Sequence, residues 1–347
     1  MQILDAFTLF TYQNDVILMQ RIQEIAQQLM THGKGILAAD ESISSADKRL
    51  RAVDVEPSEE MRRQYRELFL NTDGIENYLN GVILYDETMY QKSDSDEFFP
   101  ALLEKKGVLP GIKVDGGTTD FPKFPGELIT EGLDGLKSRL VKYYELGARF
   151  TKWRAVIKIG EGIPTDQAIR ANAHALGLYA TIVQEQNMVP IVEPEVLMDG
   201  THTLEKSEEV LTRTLKITFQ ELMKYRVDVT GLILKSSFAH PGKESEEKVT
   251  PHDVAHATIR AIKASVPHNL AGVVFLSGGE SPMEAALDLN AIAEHEPLPW
   301  LITFSYARAI QGPALEIWKG KPENIGKARE VYIEWLKKDV AADLGKL

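Results

Sequence analysis

Short apolar runs alternate with longer helical patterns along the chain. Alternating strands and helices imply a parallel sheet that is covered by helices. Eight such repeats indicate closure into a (β/α)8 barrel, the TIM barrel of the α/β class. The apolar runs span residues 35–40, 81–85, 109–114, 150–156, 189–193, 231–235, 272–276 and 301–305.

Helical stripes between these runs predict the outer layer. A first helix is expected from Asn14, a plausible N-cap, with apolar positions from Leu18 to Leu29. A final helix is expected from Pro322 to about Val340, with proline in its first turn. We therefore expect a single domain over residues 1–347 with extra N- and C-terminal helices. The helices between are predicted at 135–146, 166–186, 205–225, 250–264 and 281–294.

The alternative architecture is a large, doubly wound open sheet. That fold usually carries a glycine-rich phosphate loop after its first strand. The nearest match is Gly160-Glu161-Gly162, which lacks the third glycine and the helix opening. The barrel is therefore favoured.

Composition narrows the class of function. The chain has 347 residues, a net charge of −12 and no cysteine, which excludes disulfides, thiolate metal sites and cysteine catalysis. The acidic balance argues against nucleic-acid and acidic-membrane partners. Residues 1–14 lack the basic region of a secretory signal, and no apolar run approaches the ~20 residues of a membrane span. We expect a cytoplasmic enzyme.

Ionisable residues interrupt the strands at their carboxyl ends, where barrel enzymes have their active sites. Lys152 and Arg154 are two residues apart, as are Glu193 and Glu195, so each pair shares one strand face. Such groups are tolerable in the wet mouth of a barrel but costly against a helix layer. The set at the strand ends comprises Asp40, Lys113, Lys152, Arg154, Glu193, Glu195 and Lys235, with Arg308 just beyond the last strand.

This cluster suggests imine chemistry on an anionic carbonyl compound. A lysine crowded by other cations and partly desolvated should have a lowered pKa, and a neutral amine attacks ketones. Neighbouring carboxylates can transfer protons. The pattern alone leaves Lys152 and Lys235 open as the nucleophile.

Two phosphate sites are also suggested. Ser277-Gly278-Gly279 after the seventh strand, with Arg308 after the eighth, occupies the usual phosphate position of this fold. A second site is suggested by polar and basic residues after the first strand, namely Ser42, Ser45, Lys48 and Arg49.

His252 and His256 have the i, i+4 spacing of a zinc-binding helix. Thr250 and Pro251 before them form an ordinary cap and first turn, and no third ligand is evident. We interpret this segment as a helix surface and expect no metal. Trp153 alternates with the charged residues of its strand, so it should pack against the helices.

Long motifs, in order from about Ile22 to about Ala342, resemble the class I fructose-1,6-bisphosphate aldolases. They are Gly33-Lys34-Gly35-Ile36-Leu37-Ala38-Ala39-Asp40-Glu41-Ser42, Gly111-Ile112-Lys113-Val114-Asp115, Lys152-Trp153-Arg154, Ile191-Val192-Glu193-Pro194-Glu195, Leu234-Lys235, Phe275-Leu276-Ser277-Gly278-Gly279 and Phe304-Ser305-Tyr306 with Arg308.

The resemblance implies roles that spacing cannot assign. Lys235 matches the Schiff-base lysine and Glu193 the general acid–base residue, with Glu195 as its neighbour. Asp40 matches the aspartate near the cleaved bond, and Lys152 matches the cation that assists formation and dehydration of the carbinolamine. The substrate-binding residues implied are Ser277, Gly278 and Arg308 at one phosphate, and Ser42, Ser45, Lys113 and Arg154 near the other end, with Lys48 and Arg49 close by. Gly279 and Ser305 complete the expected substrate-binding set.

The family thus implies a lyase that cleaves fructose 1,6-bisphosphate without metal or cofactor, and we expect a homo-oligomer. Ile43-Ser44, Ala307 and the absence of a long tail ending in tyrosine depart from its pattern. They leave open the preference between one- and two-phosphate sugars and the group that reprotonates the enamine. The alternatives are another Schiff-base aldolase or transaldolase, a metal-dependent aldolase, and a non-catalytic scaffold.

Overall fold

The computed structural model describes residues 20–347, and eight parallel strands form its centre. The predicted barrel is confirmed: neighbours follow the order β1-β2-β3-β6-β7-β8-β9-β10. These strands are β1 (Gly35–Ala39), β2 (Leu79–Leu84), β3 (Leu109–Lys113), β6 (Phe150–Ile157), β7 (Val189–Val196), β8 (Ile233–Ser236), β9 (Gly272–Phe275) and β10 (Ile302–Phe304).

The first and last strands meet and close the barrel. Ala38 in β1 donates its backbone N–H to the carbonyl oxygen of Tyr306, just past β10, over 2.9 Å. Thr303 in β10 donates its hydroxyl to the carbonyl oxygen of Lys34 over 3.0 Å. The chain therefore folds as a TIM barrel, whose strands all direct their carboxyl ends to one mouth.

Helices surround the barrel at the positions expected from the sequence. Their bounds lie within two residues of the prediction, except that the last helix begins three residues later, after a 3₁₀ turn at Pro322–Asn324, and ends three residues later, at Asp343. The predicted helices are α6 (Leu136–Glu145), α7 (Asp166–Gln184), α8 (Leu204–Lys224), α9 (Pro251–Lys263), α10 (Pro282–Ala293) and α12 (Ile325–Asp343).

The structure also contains elements that hydropathy did not reveal. An antiparallel hairpin follows β3, formed by β4 (Gly117–Asp120) and β5 (Leu128–Glu131). Its connection holds Phe121 stacked on Phe124, with ring centroids 4.4 Å apart. The further helices are α2 (Ile43–Arg51), α3 (Glu59–Leu70), α4 (Asp86–Met89), α5 (Phe99–Lys105) and α11 (Arg308–Trp318).

An N-terminal helix, α1 (residues 20–29), plugs the amino end of the barrel. Its Ile22 and Leu29 belong to the same buried cluster as the inward-facing Ile83 and Ile233. Glycine at the strand starts makes room for this plug, since a β-carbon on Gly272 would lie 2.5 Å from Met30. The predicted cap Asn14 and apolar Leu18 lie outside the described residues.

The plug leaves the carboxyl end of the barrel as the open end. Trp153, between the charged residues of β6, points outward and packs on Tyr179 of α7, as predicted. The outer face of the barrel is thus apolar, and the charged side chains of β6 and β7 converge inside the mouth. Among residues 20–347, no helix combines the length and apolar character that crossing a membrane requires.

Candidate active site

A cavity of about 730 Å³ opens at the carboxyl ends of the strands. Fifteen of the sixteen residues that the sequence analysis names line it, and only Lys48 does not. Those fifteen are Asp40, Ser42, Ser45, Arg49, Lys113, Lys152, Arg154, Glu193, Glu195, Lys235, Ser277, Gly278, Gly279, Ser305 and Arg308.

Four charged side chains form a continuous chain at the base of this cavity. Lys235 Nζ lies 3.1 Å from Glu193 Oε1, and Lys152 Nζ lies 3.2 Å from Oε2 of the same carboxylate. Lys152 Nζ also lies 2.7 Å from Asp40 Oδ2. The chain crosses from β8 to β7 to β6 to the end of β1, so the closed barrel is what brings these residues together.

The charges stabilise one another. Burial acts to raise the pKa of Asp40, but Lys152 and Lys235 outweigh it and lower that pKa to about 2. Burial likewise acts to raise the pKa of Glu193, and the same two lysines outweigh it and lower the pKa. Both carboxylates are therefore ionised at neutral pH.

The lowered lysine pKa predicted from crowding by cations is wrong for Lys152. Burial does act to lower its pKa, but the carboxylates of Asp40 and Glu193 outweigh burial and raise it. The sequence indicated that the cations lie close together, but it did not show that carboxylates from other strands lie between them. Lys152 is a permanent cation, suited to stabilising negative charge.

A second group of ion pairs lies beside the first. Arg154 pairs with Glu195 across β6 and β7. Lys113 Nζ lies 2.5 Å from Oδ1 of Asp115, whose Oδ2 accepts the backbone N–H of Arg154 over 3.2 Å. Asp115 thus holds two of the predicted substrate-binding residues in place. Asp115 is the last residue of the motif Gly111-Ile112-Lys113-Val114-Asp115, but the spacing of residues did not indicate this role.

The Ser277-Gly278-Gly279 loop forms one wall of the cavity with backbone geometry that favours glycine. Gly278 has a φ of +54° and Gly279 a φ of +94°. Arg308 is the first residue of α11, so the positive end of that helix points to the same region. Ser305 Oγ is buried there without a hydrogen-bond partner among the described residues. The wall is suited to an anion.

Another wall is the start of α2, which follows β1, the strand next to β10 in the closed barrel. Ser42 caps this helix and accepts the backbone N–H of Ser45 over 3.4 Å. Lys48, the predicted residue outside the cavity, is exposed on the helix surface. Arg49 lines the cavity but pairs with Glu41 and donates to Gln311 Oε1 over 2.6 Å.

Several lining residues were not among the candidates. Tyr85 and the segment Gly116-Gly117-Thr118 come from the ends of β2 and β3. Ala307, which departs from the family pattern, also lines the cavity beside Arg308. These residues are uncharged, so the pattern of charged residues at the strand ends did not indicate them.

Possible metal ligands lie elsewhere. The ligand atoms of His240, Glu280 and Asp288 lie within 4.8 Å of one another, a grouping that the sequence did not reveal because the three are far apart. His240 Nε2 lies 2.5 Å from Asp288 and 2.8 Å from Glu280. Burial acts to lower the pKa of His240, but the two carboxylates raise it to about 10, whereas burial raises the pKa of Glu280. Protonated His240 is therefore paired chiefly with Asp288.

The zinc-like pair His252 and His256 is exposed on α9, as interpreted. Thr250 and Asp253 form a capping box at the start of that helix, with Thr250 donating its N–H to Asp253 Oδ2 over 2.8 Å. The spacing of the two histidines therefore reflects a helix surface.

Comparison with known proteins gives consistent results over nearly the whole chain. The model of the family described as fructose-bisphosphate aldolase class-I matches residues 21–347. A probable fructose-bisphosphate aldolase class 1 of Xylella fastidiosa is 46% identical over 328 residues, 94% of this chain and 98% of the relative. The cytoplasmic isozyme of Spinacia oleracea is 47% identical over 322 residues, 92% of this chain and 90% of that protein.

A solved structure shows the same fold. The fructose-bisphosphate aldolase of Plasmodium falciparum, crystallised in complex with TRAP and a small-molecule inhibitor, has a TM-score of 0.94 and 42% identity. The match covers 95% of each chain.

Proposed function

The chain belongs to the class-I fructose-bisphosphate aldolase family, and we propose that it works through a Schiff base on Lys235. Its reaction is the reversible cleavage of fructose 1,6-bisphosphate to dihydroxyacetone phosphate and glyceraldehyde 3-phosphate. The observation that carries the assignment to Lys235 is its position. Its buried Nζ lies at the cavity base, 3.1 Å from a carboxylate that can take its proton.

Imine formation uses the chain of charges at the cavity base. Neutral Lys235 attacks the C2 carbonyl of the open-chain sugar, and Lys152 stabilises the negative charge that develops on oxygen. Glu193 takes two protons from the nitrogen in turn, one that frees the amine before attack and one that the nitrogen loses after attack. It passes the first to the C2 alkoxide and the second to the resulting C2 hydroxyl, which leaves as water and gives the iminium ion. Because Glu193 contacts both lysines, one carboxylate can serve both transfers.

The resulting iminium ion accepts the electrons of the C3–C4 bond. Asp40 or Glu193 removes the C4 hydroxyl proton, the bond breaks, and glyceraldehyde 3-phosphate leaves. The enamine on Lys235 is then protonated at C3 and hydrolysed to dihydroxyacetone phosphate. The iminium itself is the electron sink, and so this route requires no metal or cofactor.

Two walls of the cavity accommodate the two phosphates. β8 is hydrogen-bonded to β9 in the sheet, so the loop that follows β9 is the nearer anion site to the C2 atom bound to Lys235. We assign the C1 phosphate to Ser277, Gly278, Ser305 and Arg308. The C6 phosphate then lies toward the other wall, with Ser42, Ser45, Lys113 and Arg154. Arg49 lines the cavity close to these residues, and Lys48 lies outside it.

We further propose that the chain is one domain over residues 1–347, cytoplasmic as named for the spinach relative, and a homo-oligomer. Closed homo-oligomers are common among soluble enzymes. Sedimentation velocity tests the oligomeric state when it is measured at the enzyme concentration of the assay and at much lower concentrations. A single species of 38.8 kDa at all concentrations would contradict it.

Replacement of Lys235 by methionine tests the proposed function. Lys235→Met keeps the side-chain length but lacks the amine, so cleavage of fructose 1,6-bisphosphate should fall by at least about 10⁴-fold. Lys263→Met, on the exposed face of α9, is the matched control and should retain full activity. Addition of a chelator should change neither rate. Cleavage by Lys235→Met at a rate near that of the control would refute the assignment.

A further inference from the structure

Two cationic side chains converge on Gly279 in the phosphate loop. A β-carbon built on Gly279 would lie 2.8 Å from Arg308 Nη2 and 2.8 Å from Lys243 Nζ. Arg308 comes from α11, whereas Lys243 comes from the segment between β8 and α9, for which the sequence predicted no role. Both cations therefore face the anion-binding wall from different elements.

Arg308 lines the catalytic cavity, whereas Lys243 lines the adjoining pocket, which shares Gly279 with it. Both differ from the cations beside them in the cavity. Lys113, Lys152, Arg154 and Lys235 each have a carboxylate oxygen within 4.0 Å. Within residues 20–347, neither Lys243 nor Arg308 has such a partner. Two like charges held together without an acid repel each other. The arrangement is favourable when an anion lies between them.

The backbone holds Lys243 in this position. Its N–H donates to the carbonyl oxygen of Met198 over 2.7 Å, and the N–H of Gly242 donates to His202 over 2.7 Å. Gly242 packs so tightly that a β-carbon would lie 2.0 Å from the carbonyl oxygen of Gly200. The segment after β8 is thus fastened to the segment after β7.

A side-chain contact fastens the same segment to the phosphate loop. His240, three residues before Lys243, pairs with Glu280, the residue that follows Gly279, and with Asp288 of α10. The segment that carries Lys243 is therefore held on both sides. The ammonium group needs only side-chain motion to reach a ligand on Gly278 and Gly279.

We infer that Lys243 is a second phosphate-binding cation, which holds the C1 phosphate together with Arg308 and raises affinity for phosphorylated over unphosphorylated ketoses. This inference rests on the proposed function and extends its C1 phosphate site. Arg308 provides a planar donor at a helix N-terminus, and Lys243 adds a point charge from the opposite side. Neither group takes part in proton transfer, so the effect of Lys243 falls on binding.

Lys243→Ala and Lys248→Ala form a matched pair for the test. Both lysines are exposed and lie on the same segment, but only Lys243 reaches Gly279. A charged hydrogen bond contributes about 1.5–3 kcal/mol. Lys243→Ala should therefore raise KM for fructose 1,6-bisphosphate by about tenfold or more. We expect kcat to stay within about twofold. Inhibition by inorganic phosphate should weaken to a similar extent, and Lys243→Arg should restore most of the affinity.

Trapping with borohydride separates this inference from the proposed function. The concentration of dihydroxyacetone phosphate that gives half-maximal adduct should rise in Lys243→Ala by the same factor as KM, with full adduct at saturation. An unchanged half-maximal concentration, or loss of adduct even at saturation, contradicts the inference while leaving Lys235 as nucleophile. Absence of an adduct on Lys235 in the unmodified protein would instead contradict the proposed function.

Discussion

Glu193 lies between two lysines, with its Oε1 3.1 Å from Lys235 Nζ and its Oε2 3.2 Å from Lys152 Nζ. One carboxylate thus contacts both amines that the sequence left as alternative nucleophiles. The geometry separates their roles, since Lys152 is also paired with Asp40 whereas Lys235 contacts Glu193 alone among the described carboxylates. This difference in contacts favours the proposed Schiff base on Lys235 and the proposed role of Lys152 as a fixed cation.

Glu193→Gln should preserve the shape of the site and remove its proton acceptor. We expect kcat to fall by about 10²–10⁴-fold, because proton transfer contributes this much in enzymes. KM should change less, since Glu193 contacts lysines and not the phosphate walls. Steady-state kinetics between pH 6 and 9 measure both parameters. A kcat within a factor of about three of the unmodified protein would contradict the role of Glu193.

Arg154→Ala distinguishes the two phosphate walls. Arg154 is on the wall opposite Ser277 and Arg308, so its loss should raise KM for fructose 1,6-bisphosphate by about tenfold. The KM for fructose 1-phosphate, which lacks the second phosphate, should change by less than about twofold. Equal effects on both sugars would place Arg154 outside the C6 phosphate site. The comparison also measures the preference that the sequence left open.

A network behind the α2 wall should be essential for stability. Glu41 pairs with Arg49 and Arg66, and the side chains of Glu41 and Arg66 are only 5% and 3% exposed. Glu41→Ala would leave the buried guanidinium group of Arg66 and the half-buried one of Arg49 without their acid and lower the free energy of unfolding by about 3–5 kcal/mol. Glu60→Ala removes an exposed partner of Arg63 and should cost less than about 1 kcal/mol. Denaturant titration of both variants tests the difference.

The buried carboxyl group of Asp343 should make the folded protein less stable as pH rises. Burial raises its pKa from 3.8 to about 7, although the backbone N–H of Gly33 donates to it over 3.0 Å. Between about pH 4 and about pH 7, Asp343 is protonated in the folded state and ionised in the unfolded state. Its contribution to the free energy of unfolding is therefore fully present below about pH 4 and is lost as pH rises to about 7. Asp343→Asn lacks this titration, so its unfolding free energy should depend less on pH in that window. Identical pH dependence in both proteins would show that Asp343 is ionised in the fold.

Much of the fold was predictable from the sequence because barrel strands are buried on both faces. Each run, such as 81–85, stands out as apolar against the helical stripes. The hairpin of β4 and β5 did not, because half-exposed residues such as Thr118 and Thr119 carry little hydropathy signal. Charges at strand ends likewise predicted where the site lies.

The contacts within the site were harder to predict. Spacing shows which residues share a strand face, but only the closed barrel brings Asp40 at the end of β1 to Lys152 on β6, since these strands are not neighbours in the sheet. Without this contact, the sequence predicted the wrong direction for the pKa of Lys152. The sequence did not indicate Lys243 and His240 because they lie outside the strands and their partners are distant in sequence.

Mass spectrometry after borohydride reduction with dihydroxyacetone phosphate tests the proposed Schiff base on Lys235 most directly. Reduction fixes any imine as a stable secondary amine, and peptide mapping locates it. We predict a single adduct, on Lys235, with irreversible loss of activity and no adduct in Lys235→Met. An adduct on Lys152, or none on any lysine, would contradict the account.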